Sequence, residues 1–455
     1  MNAIAPPRIR RRPATVPSML DPGLETMPRE RLAQLQLERL RRTLRDAWAG
    51  VDWHRERLAA AGFEPSALRS LDDLRRLPLM GKSDLRERYP FGLLARPRSE
   101  LRRLHASSGT TGQATVVAYT ASDLRHWAQL MARSMACAGV RRGDVVHNAY
   151  GYGLFTGGLG MHDAAQRLGA TVVPASGGNT ERQVMLLRDF GARVLCATPS
   201  YALAIAENAE KMRIPLRRGP LAIGLFGAEP WSEAMRCELE GRLGLQAFDV
   251  YGLSEVMGPG VAIECARRAG LHGWEDHFLF ETVDPDTGAP VADGAAGELV
   301  ITTLTRQAMP MIRYRTRDIT RLHRRGCDCG RTHLRIARLT GRSDDMLIVR
   351  GVNVYPSQIE AALLALPAVT PNYRIVVERR GALDAMTIEI EAADAAIAGD
   401  AGAAARLGAE LRERVKSATG LSAEIALKRP GELPRSAGKA ERVRDLRRIP
   451  EGGVR

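Results

Sequence analysis

Between about residues 100 and 250, short apolar runs alternate with amphipathic stretches, and this alternation constrains the fold of the 455-residue chain more than any other feature. The run Ala170–Pro174 precedes helical periodicity over Glu181–Phe190, which leads into the run Arg193–Ala197. Leu221–Phe226 precedes a helical stretch, Ser232–Leu243, and then the short run Ala247–Val250. Short apolar runs bounded by turn residues read as strands, and apolar residues recurring with a 3.6-residue period read as helices. Strands separated by helices pair in parallel, so the expected fold is α/β with a largely parallel sheet. Ligands of such sheets sit beyond the carboxyl ends of the strands, where this chain places several Gly-rich and polar loops.

The rest of the chain divides around that sheet. Residues from about 28 to 76 carry helical periodicity, with Leu32, Leu35, Leu37, Leu40 and Leu44 recurring at near-helical spacing. Gly297 to Asp318 is β-rich. After Gly341 the composition changes, and a smaller α+β unit is expected. Its strands fit Met346–Val349, Tyr373–Val377, Met386–Glu391 and Ala423–Leu427, and its helices fit Pro356–Leu366 and Ala403–Thr419. The Ala/Gly/Asp stretch Ala392–Ala405 reads as a loop or frayed helix start. The expected domains are a large N-terminal one with α/β and β-rich subdomains, residues 23–343, and a small mobile C-terminal one, residues 344–455. Residues 1–22 read as a disordered basic tail, and without an apolar h-region it is not a secretory signal.

Charge and cysteine content narrow the function classes. The formal net charge is +14, carried by 61 Arg and only five Lys: Lys82, Lys211, Lys416, Lys428 and Lys439. Such a balance admits nucleic acid, membrane surfaces or anionic ligands as partners. No zinc-finger, RNA-recognition or interleaved aromatic–basic pattern accompanies it, so a solvated, Arg-biased surface is expected, with neither nucleic acid nor membrane as partner. No run approaches the roughly 18 apolar residues of a membrane span. Six cysteines do not make a disulfide framework, and sparse usage fits a reducing cytoplasm. Cys137, Cys196 and Cys237 read as core or surface thiols. Cys265, His272, Cys327 and Cys329 form a C-x6-H…C-x-C set. Four such ligands suit a structural tetrahedral Zn²⁺, with His333 in reserve, although the C-x-C step is tighter than usual and free loop thiols are the competing reading.

Five segments carry chemistry. Ala106–Thr115 (ASSGTTGQAT) sets five hydroxyls around two glycines, a composition that can wrap phosphate oxygens, yet it lacks the Gly-Lys-Ser/Thr of a Walker A loop. Tyr251-Gly252-Leu253-Ser254-Glu255 follows a candidate strand; its ring suits a base and its carboxylate suits Mg²⁺. Arg313-Tyr314-Arg315-Thr316-Arg317-Asp318 holds one acid that ribose hydroxyls could reach. Gly341-Arg342-Ser343-Asp344-Asp345, followed by Arg350-Gly351-Val352-Asn353, lies at the composition change, where a hinge is expected. Pro434-Arg435-Ser436-Ala437-Gly438-Lys439 presents a Lys, a compact point charge suited to phosphate, on a Pro/Ser/Gly loop. Each alone is equally an ordinary turn, linker or salt-bridged strand.

Together, in this order, these segments resemble the adenylate-forming superfamily of acyl-CoA synthetases, adenylation domains and luciferases, and within it the phenylacetate–CoA ligase family. The closer resemblance rests on Ser107–Gly112, Ala149–Gly158 (AYGYGLFTGG), Phe226–Trp231 (FGAEPW) and Tyr251–Gly260 (YGLSEVMGPG). It also rests on Trp274–Phe278 (WEDHF), Arg313–Asp318 and Gly341–Glu360, and it covers about residues 25–447.

The resemblance implies an ATP-dependent aryl-CoA ligase: an aromatic acid, phenylacetate or a benzoate or anthranilate type, is adenylated and then passed to coenzyme A. A stand-alone enzyme that loads an aryl acid onto a carrier protein is the alternative, and a homodimer is implied. By resemblance, Ser107, Ser108, Gly109, Thr110, Thr111 and Gly112 close over the β,γ-phosphates. Ala228, Glu229 and Pro230 line the adenine, Tyr251 stacks on it, and Gly252 and Ser254 border the nucleotide. Glu255 helps hold Mg²⁺, Asp318 binds the ribose and Arg342 reaches the nucleotide. Tyr150, Phe155, Gly252 and Pro259 wall the acid pocket. Lys439 bridges carboxylate and α-phosphate, Asp344 is the hinge between half-reactions, and Gly351 lets pantetheine pass. Two departures stand out: Gln113-Ala114 replaces the usual Lys-Pro, and Ala437 replaces a usual Glu.

Overall fold

The computed structural model describes residues 19–106, 114–343, 347–350, 352–380, 383–436 and 440–447. A nine-stranded sheet organises the large domain. Five strands run parallel, in the order Gln246–Leu253, Ile223–Gly227, Val194–Ala197, Val145–Asn148, Thr171–Val173. Strands Val194–Ala197 and Ile223–Gly227 are buried along their whole length, as strands covered by helices on both faces must be. The expected alternation is therefore present, with boundaries shifted by one to three residues. Strand order reverses beside Val145–Asn148, and the loop carrying Tyr150 and Phe155 leaves the sheet there, where ligands of open α/β sheets bind.

The fifth strand differs from the expectation. Gln246–Leu253 runs on beyond Val250, so Tyr251 and Gly252 lie inside the strand rather than after it. It then turns back as the antiparallel strand Gly258–Glu264. Leu271–Gly273, Arg335–Ile336 and Leu322–His323 extend the same sheet antiparallel. A four-stranded antiparallel sheet follows, in the order Phe278–Val283, Gly297–Thr303, Tyr314–Thr320, Gly341–Arg342.

The N-terminal helical stretch is broken. Helix Arg29–Gly50 ends at Val51, Asp52–Ala60 follows, and Pro65–Ala67 and Leu71–Arg76 form only short 3₁₀ turns. Gly62 with positive φ and Pro65 interrupt the periodicity that the leucines suggest. Before it, Pro22–Glu25 forms a short helix capped by Asp21, so the described chain is already structured within the segment read as tail; residues 1–18 lie outside the described residues.

The C-terminal unit has its own core, including Val354, Ile359, Ile375, Ile388, Ile390, Leu411 and Val415. Its sheet runs Glu424–Lys428, Leu383–Ala392, Val369–Arg380, Val443–Asp445. Of the two readings of Ala392–Ala405 the helix start holds: Asp394 caps Ala395–Gly399, and Asp400 caps Ala401–Thr419 through a 2.7 Å bond from Ala403 N–H. Alanine has the highest helix propensity, and each Asp supplies the start signal. Among the described residues no helix is long and apolar enough to cross a membrane.

The Arg excess is not all on the surface. Arg133 and Asp276, both fully buried, form a two-point ion pair at 2.8 and 3.2 Å, and the guanidinium lies 5.0 Å from the Trp274 ring. Two further buried pairs join segments without the two-nitrogen fork: Arg236 Nη2 reaches both oxygens of Glu264, at 3.0 and 2.8 Å, and Arg331 Nε donates to Glu25 Oε2 at 2.7 Å. A planar guanidinium matches a carboxylate at two points, which a Lys cannot do. Burial pushes His277, beside Asp276, down to about 3, so at neutral pH the buried charges are those of Arg133 and Asp276. Truncating one partner of such a pair costs ~3–5 kcal/mol. Asp276→Ala is expected to lose that much in urea denaturation, since the next carboxylate to Arg133, that of Asp21, is 4.0 Å away. A loss below about 1 kcal/mol, the range of surface pairs, would contradict the assignment.

Candidate active site

The strand Gln246–Leu253 and its turn bring two groups of expected residues together. At the strand, the Tyr251 hydroxyl donates to Asp318 Oδ2 at 2.7 Å, and Arg342 lies 3.5 Å from Asp318 Oδ1. Burial, with the Asp318 charge, pushes the Tyr251 hydroxyl well up, so it stays protonated and donating. A bulge aims Asp318: Ile319 pairs with Glu298 and Arg315 with Val300, so Thr316, Arg317 and Asp318 face Leu299 alone. Arg317 takes a left-handed φ of 68° there, and its carbonyl accepts Ser343 N–H at 2.7 Å. Asp318 and Arg342 are also register partners across adjacent strands. One carboxylate, one phenol and one guanidinium from three segments thus meet at one point.

At the turn, Glu255 Oε1 lies 3.4 Å from Lys82 Nζ and accepts the Thr115 hydroxyl at 3.4 Å. Arg306 fixes the turn by donating to the carbonyls of Glu255 and Val256, the latter at 2.7 Å. The hydroxyl of Tyr119, under the Arg306 guanidinium, donates to Met257 O at 2.9 Å. Thr115 ends the hydroxyl-rich segment, and the strands Leu101–Ala106 and Val116–Thr120 pair up to Ala106 and Val116, so residues 107–115 connect them. Ser107 through Gly112, with Gln113, lie outside the described residues. Lys82 was not singled out from sequence for this site. Its signal was rarity, one of five lysines, at the start of helix Lys82–Glu87.

Gly252 has no room for a side chain: a Cβ there would lie 2.0 Å from Gly258 O and 2.8 Å from Pro259 Cα. That closeness brings strand Gln246–Leu253 against Pro259, one of the residues expected around the acid. Helix Thr156–Leu168 supplies the other wall. A Cβ on its Gly157 would meet the Phe155 ring at 2.6 Å and the Tyr150 ring at 3.4 Å, and one on Gly160 would meet Pro259 at 2.8 Å. Tyr150, Phe155, Gly252 and Pro259 are therefore gathered about the first turns of one helix. Tyr150 is buried, whereas Phe155 is exposed at the helix start. Ser254 is anchored to that helix by a 2.9 Å hydroxyl–hydroxyl bond with Thr156.

Ala228 takes a left-handed φ of 69°, uncommon for a residue with a Cβ. The side chain of the next residue, Glu229, bridges the two domains: Oε1 accepts Ser200 N–H at 2.6 Å and Oε2 accepts Ala440 N–H at 2.9 Å. Burial raises the affinity of Glu229 for a proton, against the hydrogen bonds that favour its charge. Pro230 follows in the same loop. Lys439, Asp344 and Gly351 lie outside the described residues, although Ala440 is held at Glu229.

The four metal-type residues converge. One ligand atom from each of Cys265, His272, Cys327 and Cys329 lies within 4.8 Å of the others. Cys265 and Cys327 sulfurs are 3.8 Å apart, and Cys329 Sγ is 3.4 Å from His272 Nε2. A tetrahedron of Zn–S bonds of about 2.3 Å has edges of about 3.8 Å, so the donor set fits Zn²⁺. An Arg331 N–H points at Cys329 Sγ from 3.6 Å, supporting thiolate character. His333 is not part of this set: its Nε2 donates to Leu24 O at 2.9 Å, and its Nδ1 accepts Glu275 N–H at 3.0 Å.

Comparison with known proteins identifies the family. A model described as "AMP-binding enzyme" matches residues 100–309, and one described as "AMP-binding enzyme C-terminal domain" matches residues 351–447. The chain is 51% identical over 449 residues to the phenylacetate–coenzyme A ligase of Thermus thermophilus, covering 94% of this chain and 100% of the relative. It is 49% identical over 432 residues to that of Escherichia coli, covering 94% and 98%. Among solved structures, 2-hydroxyisobutyryl-CoA ligase in the postadenylation state with 2-HIB-AMP matches with a TM-score of 0.88 at 32% identity, covering 93% of this chain and 91% of that one. The same ligase in the thioesterification state with CoA matches with a TM-score of 0.70, covering 94% and 92%.

Proposed function

The chain belongs to the phenylacetate–coenzyme A ligase family of AMP-binding enzymes, and on that premise we propose that it converts an aryl acid into its CoA thioester using ATP. One observation carries this reading: a single strand and its turn present a ribose-type acceptor, Asp318 with Tyr251, at one place and an acid with a Lys, Glu255 with Lys82, at the other. In the first step a carboxylate oxygen attacks the α-phosphorus, the bond to the β-phosphate breaks and pyrophosphate leaves. In the second the CoA sulfur attacks the acyl carbon, the acyl–phosphate oxygen bond breaks, AMP leaves and the thiol proton passes to solvent.

The residues divide the work. Asp318 accepts from the ribose hydroxyls while Tyr251 and Arg342 hold it in place. The backbone of Ala228, Glu229 and Pro230 borders the adenine. Ser107–Gly112 and Thr115 close on the β,γ-phosphates, with Gly252 and Ser254 lining the path between. Tyr150, Phe155, Gly252 and Pro259 wall the aryl group. Two anions must meet for the first step, so nearby cations lower its barrier, the more so away from water. Lys439 is assigned to the carboxylate and α-phosphate. Lys82 adds a second cation on the phosphate side, where Gln113 removes the one usual in the family. Glu255 is the protein carboxylate for Mg²⁺, which when bound supplies positive charge to the phosphates. Asp344 is assigned the hinge, and Gly351 the passage of pantetheine. The greater likeness to a postadenylation structure than to a thioesterification one supports reading the present domain arrangement as the adenylating one.

Cys265, His272, Cys327 and Cys329 are assigned to a structural Zn²⁺ remote from this chemistry. A closed four-ligand site contributes to folding, not to turnover. It ties the end of strand Gly258–Glu264 to the segment that carries Arg331.

Three outcomes are expected. Acid-dependent pyrophosphate release with ATP and Mg²⁺ is strongest for phenylacetate or a close aryl acid in a panel, and added CoA yields its thioester by mass spectrometry. Silence across the panel refutes the reading, and an adenylate that free CoA does not consume points to a carrier protein. Lys439→Ala and Lys82→Met each slow pyrophosphate release, Lys82→Met by about tenfold to a hundredfold. Both spare thioester formation from preformed aryl-adenylate; equal loss in both steps removes their assignment. Elemental analysis of the purified protein finds one zinc per chain, and Cys327→Ser lowers both zinc content and thermal midpoint.

A further inference from the structure

Glu207 stands on helix Pro199–Lys211 of the large domain, apart from every residue assigned above to nucleotide, acid or metal. It accepts two hydrogen bonds from the C-terminal domain. Arg435 Nε donates to Oε2 at 2.8 Å, and Asn372 Nδ2 donates to Oε1 at 3.1 Å. The Glu207 side chain is only 14% exposed, so these bonds are partly screened from water.

Arg435 is held on its other side within its own domain. Its two terminal nitrogens fork onto Glu391, each at 2.8 Å. Glu391 is fully buried in strand Leu383–Ala392 and also accepts Leu433 N–H at 2.7 Å. The fork fixes the guanidinium plane and leaves Nε–H pointing at Glu207. Arg435 lies four positions before Lys439, and Ala440, just after it, is held by Glu229.

The two halves of this link respond differently to a domain rotation. The Arg435–Glu391 pair is internal to the small domain and survives any rigid movement of it. The bonds to Glu207 exist only while the domains are docked as here. When they part, Glu207 gains water and Arg435 keeps its buried partner, so no buried charge is stranded. A contact present in one arrangement and absent from the other biases the equilibrium between them by its own free energy.

We infer that Glu207 is a positioning residue for the first half-reaction: through Arg435 and Asn372 it docks the small domain so that the Lys439 segment reaches the carboxylate and α-phosphate. This rests on the proposed ligase reading. Glu207 touches no reacting atom, and its removal leaves the second half-reaction intact.

The test separates the two steps in the full-length enzyme. Pyrophosphate release is followed in a single turnover with ATP, Mg²⁺ and the acid that the wild-type enzyme adenylates. CoA-dependent consumption of isolated aryl-adenylate is followed separately. Glu207→Lys, which sets like charges together, is expected to slow the first rate about tenfold or more, the scale of a lost charge-assisted hydrogen bond. It leaves the second rate within about twofold, and Glu207→Gln, which retains an acceptor, falls between Glu207→Lys and wild type. Asn372→Ala, which removes one of the two bonds from within the small domain, shifts the first rate in the same direction. Equal slowing of both steps, or no slowing of the first, overturns the inference. A wild-type enzyme silent with every acid overturns the ligase reading instead.

Discussion

The strand Gln246–Leu253 has a parallel neighbour on one side and an antiparallel one on the other, and the rest of the site depends on that double membership. Its parallel edge places it in the α/β layer, so its carboxyl end opens where such sheets bind ligands. Its antiparallel edge commits the chain to turn sharply and come straight back. Gly252 lets the return strand approach until Gly258 O occupies the space of a Cβ. Tyr251 then reaches across to the second sheet, and Glu255 sits on a turn whose carbonyls Arg306 holds. Residues separated by more than 200 positions, from Lys82 to Arg342, are aligned by one short stretch of backbone.

Arginine is used here in two ways. On the surface it pairs with exposed acids, where each contact adds little. Inside, Arg133, Arg236 and Arg331 join separate segments through buried ion pairs, Arg133 with the two-point planar fork that a Lys lacks. Such pairs do not need to add net stability to matter, because any alternative packing strands a buried charge. The scarcity of lysine fits this division. Lys82 stands where a compact charge, not a fork, meets a carboxylate.

Much of this was legible in the sequence, and the parts that were not have physical reasons. Strand–helix alternation located the parallel sheet because buried strands are apolar along their whole length. The four metal-type residues were legible as a set because their side-chain types are rare and specific. The exclusion of His333 was not, since it depends on Leu24 and Glu275, which lie far from it in the chain. Lys82 carried no local motif; only the folded chain brings it to Glu255. Glu229 was read for the backbone around it, and its side-chain bridge to Ser200 and Ala440 depends on domain docking that no local pattern encodes. Ala392–Ala405 reads equally as loop or helix start because its Gly and Asp residues counter the helix propensity of its alanines, although Asp394 and Asp400 are themselves the caps.

The tie between Glu25 and Arg331 spans 306 positions. A ribosome delivers the N-terminal helices long before it delivers that partner. At roughly 5–20 residues per second the interval is about 15–60 s. During it Leu40 and Leu44, which the finished protein buries completely, can pack on Leu58, Phe63 and Leu74 but lack Leu279, Leu304 and Ile312 until those are made. The core around the N-terminal helices is thus half built from their own neighbours and closed by Leu279, Leu304 and Ile312, which arrive more than 200 positions after Leu44.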